Sequence, residues 1–145
     1  MGHRRRAREF ALQMLFQIDL TGVVPRQVFD QFWGIHDAEA EERSFAESLV
    51  LGVIGRGDEL DGLISAAARN WRMKRMAVVD RNVLRMAAYE LLEEAATPAA
   101  VIIDEAIEVA KKFGSEDSGG FINGILDAIR RQADPRSAGG AGPPE

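Results

Sequence analysis

An all-α fold is predicted: a single compact domain of six to seven helices over residues 1–133, followed by a disordered Gly/Pro-rich tail over 134–145. Three observations predict it. The chain is rich in Ala, Leu, Glu and Arg and has few β-branched runs. Its apolar residues recur at helical spacing from end to end. Capping and breaking residues such as Thr21-Gly22, Pro25, Thr97-Pro98 and Gly114 fall between the periodic segments.

The first helix is expected from about His3 to Leu20, where Ala11, Met14, Leu15 and Ile18 form an inward stripe. At about 100° per residue, Phe16 sits roughly opposite that stripe, with Arg5 and Leu12 projecting near it. Pro25 suits the first turn of a short second helix carrying Val28, Phe29, Phe32 and Trp33. Asp37, Glu39, Glu41 and Glu42 crowd the start of a long third helix, the end at which the macrodipole favours anions. Its inward side holds Phe45, Leu49, Val53, Leu60 and Ile64, and a break is expected near Gly55. The basic connection Arg69 to Arg75 leads to a fourth helix over Ala77 to Ala95 that buries Val79, Val83, Met86 and Ala87. Thr97 as N-cap and Pro98 at the first helical position start the next helix, which buries Ile103, Ala106, Ile107 and Ala110. Ser115 or Asp117 caps the last, which runs through Phe121, Ile122, Ile125, Leu126 and Ile129.

Composition narrows the function. With 145 residues and no cysteine, the chain can bury a real core but has no disulfide and no thiolate-ligated metal. No apolar run approaches the roughly 18 residues of a membrane span and no signal-peptide pattern opens the chain, so a cytoplasmic protein off the membrane is expected. Net charge is -5, yet Arg4, Arg5, Arg6 and Arg8 cluster at the start. A restricted cationic patch beside the Phe16 ring suits single-stranded nucleic acid, where phosphates meet guanidinium and bases stack on rings. The competing reading packs Phe16 under a neighbouring helix and leaves the arginines to solubilise the terminus.

Catalytic groups do not converge. Asp104, Glu105 and Glu108 read as a solvated helix face, without the Glu-x-x-His pairs of a carboxylate-bridged metal site. His3 and His36 lack ligand-spaced partners and read as surface residues. Gly119-Gly120 is no phosphate loop, and Arg56-Gly57-Asp58 is a chance tripeptide. Arg81 and Arg85 are expected to pair with Asp80 and nearby acids on their own helix. No enzyme, cofactor or metal is expected, and a binding module remains. Its candidate surface has three pieces: the first helix, the stretch Arg69 to Arg75, and the helix start at Ser115 to Phe121.

Three stretches together carry a family likeness. They are Arg-Arg-Arg-Ala-Arg-Glu-Phe-Ala-Leu-Gln-Met-Leu-Phe at 4–16, Val-Val-Asp-Arg-Asn-Val-Leu-Arg-Met-Ala-Ala-Tyr-Glu-Leu at 78–91, and the segment from Ile103 through Asn123-Gly124 that contains Asp-Glu-Ala-Ile-Glu-Val-Ala-Lys-Lys-Phe-Gly-Ser-Glu-Asp-Ser. In this order and at these distances the chain resembles the NusB family of bacterial transcription antitermination factors. The resemblance implies two small helical bundles packed together. It also implies binding of the boxA segment of nascent ribosomal RNA together with NusE, a small-subunit ribosomal protein, within an antitermination complex on RNA polymerase. It carries RNA contact onto Arg4, Arg5, Arg6, Arg8, Phe16, Asp117, Ser118 and Phe121, and NusE contact onto Asp80.

Asp117 is expected to tune affinity, because a carboxylate repels phosphate while its place at the helix start organises the backbone. The resemblance also admits a homodimer when the protein is alone, and a helical domain preceding an RNA cytosine methyltransferase. Two departures stand out: Ala67, Ala68 and Arg69 replace an aromatic that relatives often carry before Asn70, and the Gly-rich tail has no counterpart.

Overall fold

The computed structural model describes residues 2–94 and 96–133; the tail expected after 133 lies outside the described residues. Seven α-helices are found among these: α1 (Gly2–Thr21), α2 (Pro25–Ile35), α3 (Ala40–Gly55), α4 (Gly57–Ala67), α5 (Val78–Glu93), α6 (Ala99–Phe113) and α7 (Ser118–Ala133). A 3-10 turn at Met73–Arg75 lies between α4 and α5. The long third helix is therefore two, hinged at Arg56 between Gly55 and Gly57, where the break was expected. Arg56 bridges the hinge by pairing with Glu59 and with Glu93 on α5.

Helices α1–α3 form one packed group and α4–α7 the other, with α1 and α5 joining them. One continuous apolar cluster runs through both groups. Leu12, Leu15, Leu84, Ile102, Ile122 and Ile129 are among its fully buried members. Removing each such side chain from water stabilises the fold by about 1.5–3 kcal/mol before the cost of chain ordering. Because α1 packs against α2, α3, α5 and α6, it buries far more than one narrow stripe, including Phe10 and Leu12. Leu12 was expected on the solvent side with Phe16; it is 1% exposed.

Local chemistry accounts for the helix ends. Pro25 occupies the first position of α2, where its missing N–H costs nothing. Glu39 and Glu42 form a capping box at the start of α3, each side chain accepting from the other residue's backbone N–H. Pro98 is itself the N-cap of α6, so Thr97 lies one residue too early for the capping role expected of it. The extended conformation of Pro98 leaves its carbonyl free to accept from Ile102. Gly52 lets α3 approach α5, because a methyl group there would overlap the ring of Tyr89.

Candidate nucleic-acid interface

The arginines of α1 are not free charges. Arg5 donates two hydrogen bonds of 2.9 Å to the Glu105 carboxylate on α6. Arg4 donates to Glu94 at 3.3 Å, and its guanidinium lies 4.3 Å above the centre of the Phe45 ring. Arg6 donates to the Asp37 carbonyl at 2.8 Å and lies 3.6 Å from Glu42. These three side chains remain about half exposed, at 54%, 45% and 52%. Arg8 departs from the expected solvent face. Its side chain is only 6% exposed and donates to both oxygens of buried Glu90, at 2.8 and 2.7 Å. The likeness in sequence groups four arginines, whereas the fold divides them into three at the surface and one inside.

Charge states follow from these partners. Burial disfavours the Arg8 cation, yet hydrogen bonding and attraction from Glu90 outweigh it, and its pKa is raised. Hydrogen bonding to Arg5 holds Glu105 below the ordinary carboxylate range despite partial burial. Glu42 is likewise held low, chiefly by the Glu39 backbone N–H, with His3 and Arg6 adding to it against the opposing effect of burial. His3 is exposed, with Nδ1 3.1 Å from Glu42, whereas His36 is half-buried and stacks on Phe32 at 4.0 Å between ring centres.

Further along α1, Lys112 of α6 donates to Glu9 at 2.9 Å, so α6 runs beside α1 in the same direction from Arg5 onward. Phe16 stands on the same face of α1 as Arg5 and Glu9, about 16 Å from Arg5 along the axis, and is 37% exposed. It lies towards the end of α1 that meets the start of α5. There Asp19 accepts from Arg81 at 2.8 Å, Asn82 at 2.9 Å and Arg85 at 3.1 Å. Burial opposes the Asp19 charge, but the bonds from Arg81 and Asn82 win, and its pKa is lowered. Arg85 also holds Asp61 of α4. Arg81 and Arg85 thus pair across helices with Asp19 and Asp61, and not with Asp80 as expected.

Asp80 is buried and accepts a 2.7 Å hydrogen bond from the Ser118 hydroxyl at the first residue of α7. Ser118 in turn accepts from the Ser115 N–H at 3.0 Å. Asp117 is exposed at the N-cap position of α7; its carbonyl accepts from Phe121 N–H at 3.2 Å, while its carboxylate receives no hydrogen bond among the described residues. Ser118, rather than the Asp117 side chain, orders the helix start. Phe121 is half-buried, and its ring meets Trp71 edge-to-face at 5.6 Å between centres. That contact brings the second candidate piece, Arg69 to Arg75, to the third at the start of α7. Trp71 was not singled out as a site residue in the sequence; its exposure, 55%, is a tertiary property.

No group of three or more His, Cys, Asp or Glu suited to a metal ion occurs among the described residues, and none of their helices is long and apolar enough to cross a membrane. The described surface thus carries half-exposed guanidinium groups at one end of α1 and the exposed Phe16 ring towards the other, and the start of α7 is ordered by Ser118.

The NusB family model matches residues 5–131. The transcription antitermination protein NusB of Sorangium cellulosum is 47% identical over 129 residues, covering 89% of this chain and 92% of the relative. T. maritima NusB superposes with a TM-score of 0.79 at 39% identity, covering 92% of this chain and 94% of that one. A chain from the crystal structure of antitermination factors NusB and NusE in complex with dsRNA superposes with a TM-score of 0.82 at 26% identity, covering 91% and 98%. On sequence, length and fold together, the chain belongs to the NusB family.

Proposed function

We propose that this protein is a transcription antitermination factor, a binding protein rather than an enzyme, that engages the boxA segment of nascent ribosomal RNA together with NusE and alters termination by RNA polymerase. The observation that carries the reading is the face of α1, which presents the half-exposed Arg5 and the exposed Phe16 about three turns apart. Family membership supports it, as does the likeness to a chain from a NusB–NusE complex with dsRNA.

Phosphate recognition here is an exchange. Arg5 is already paired with Glu105, so an RNA phosphate must compete with a carboxylate for the same planar donor pair. An exposed ion pair is worth only about 0–1 kcal/mol, so the exchange costs little, and counterion release from the RNA favours it. Arg4 and Arg6, with partners of their own, act in the same way. Phe16 stacks on a base, a contact worth roughly 1–3 kcal/mol. The α7 start receives the next part of the strand through exposed Asp117 and half-buried Phe121. Ser118, expected at the same contact, is 1% exposed and spends its hydroxyl on Asp80, so it holds that start in place from inside. Asp80 shapes the NusE-facing surface from beneath, because its carboxylate is occupied by Ser118. Arg8 serves α1 from inside, through Glu90.

The test is fluorescence anisotropy with a boxA-like RNA and a scrambled control, each with and without NusE. Preference for boxA that sharpens with NusE is expected. Equal, weak binding to both RNAs, unaltered by NusE, would refute the antitermination reading.

A further inference from the structure

We propose that the connection between α4 and α5 is a second subsite for single-stranded RNA, in which Trp71 stacks on a base and Arg69, Arg72, Lys74 and Arg75 neutralise the adjoining phosphates. The inference rests on the RNA reading above and extends it to residues outside the α1 face.

Charge balance is the first argument. Arg4, Arg5 and Arg6 each lie within 4 Å of a carboxylate. Among the described residues, no ion pair reaches Arg69, Arg72, Lys74 or Arg75. The segment Arg-Asn-Trp-Arg-Met-Lys-Arg contains no acid of its own. On an anionic protein, this is where cationic charge is least compensated, and uncompensated cations are what release counterions from a nucleic acid.

Geometry is the second. Trp71, Arg69, Arg72 and Lys74 line one open depression. The segment is held at both ends by buried residues, Ala68 and Met76. It is ordered between them by the bond from Trp71 N–H to the Ala68 carbonyl, 2.9 Å, and by the 3-10 turn Met73–Arg75. An indole left 55% exposed keeps apolar surface in water, and a stacked base would remove it. The edge-to-face contact with Phe121 fixes the ring beside the α7 start, so the subsite adjoins the part of the proposed path that α7 receives.

The chain has two tryptophans, so Trp33→Phe leaves Trp71 as the only indole. Trp33 lies apart from the subsite and donates to Glu47. Titrating that variant with an unlabelled boxA-like strand is expected to quench its emission in step with binding seen by anisotropy. Trp71→Phe should stay within about twofold of wild type, whereas Trp71→Ala should lose about tenfold. Arg72→Ala with Lys74→Ala should shrink the slope of log affinity against log salt by about 1.4, the amount for two phosphate contacts on a single strand.

Circular dichroism melting checks that each variant is folded. If Trp71→Ala is not, the quench and the other two variants decide the matter. RNA bound with emission and salt slope unmoved overturns the subsite and leaves the α1 reading standing. Loss on Trp71→Ala with none on Arg5→Ala overturns the α1 reading and supports the subsite. No RNA binding by the wild type, with or without NusE, overturns both.

Discussion

Arg8 and Arg5 are separated by less than one turn of α1, yet one guanidinium is inside the protein and the other at its surface. Arg8 stands three residues before Ala11 and seven before Leu15, on the edge of the stripe that reads as inward. Its burial was therefore legible from spacing, although its place in an arginine run pointed outward. The partner Glu90, 82 residues away, was not legible, since nothing local joins the two positions. Glu90→Ala takes both hydrogen bonds from a buried cation and leaves it only the Glu105 carboxylate at 3.8 Å, which Arg5 already holds. We expect it to lower unfolding stability by about 3–5 kcal/mol in urea denaturation, well beyond the effect of Glu94→Ala at the exposed Arg4 pair.

Acid should act through the same kind of residue. Glu105 and Asp19 are held below their ordinary values of 4.5 and 3.8, so the stability they add is complete above those values. It is lost as pH falls through their lower folded values. The raised arginines Arg8 and Arg85 stay protonated throughout this window and add no slope to it. Thermal midpoints by circular dichroism should be nearly flat from about pH 6 to 8 with respect to these groups, and should fall below about pH 4.

Helices are the scale at which the sequence was most readable, because capping and periodicity are local. Pro25, the acidic start of α3 and the glycines around Arg56 all stand where the elements begin or break. Thr97-Pro98 misled by one residue because the fixed φ that suits proline to the first helical position is also compatible with the N-cap it occupies here, at φ -59° and ψ 142° with no side-chain cap. The wide burial of α1 was missed for a different reason. A single stripe describes a helix packed on one side, and α1 is covered from four directions. Gly22 ends α1 at a φ of +73°, its N–H donating to Ile18 at 2.7 Å. No atom outside its chain neighbours would meet a methyl group there, so the penalty of Gly22→Ala is conformational alone. A loss of about 1 kcal/mol is expected in chemical denaturation, with the helix content of the folded protein unchanged.

At the scale of the whole molecule, the acidic total and the basic terminus are two sides of one design. Glu94 and Glu105 belong to α5's end and α6, and they screen Arg4 and Arg5 until a stronger anion arrives. The candidate surface was legible as three separate pieces, but the meeting of the second and third depends on Trp71–Phe121, and the ordering of the α7 start on Ser118–Asp80, contacts that only the fold creates. Screening makes an unusual prediction: Glu105→Gln should raise RNA affinity by releasing Arg5. The most direct test of the central claim, that α1 binds RNA through an exchangeable guanidinium, is therefore RNA anisotropy on Arg5→Ala and Glu105→Gln beside wild type, across a salt series with NusE present. The account predicts weaker binding and a shallower salt slope for Arg5→Ala, with binding a few-fold tighter for Glu105→Gln. Wild-type affinity and slope in Arg5→Ala would contradict it.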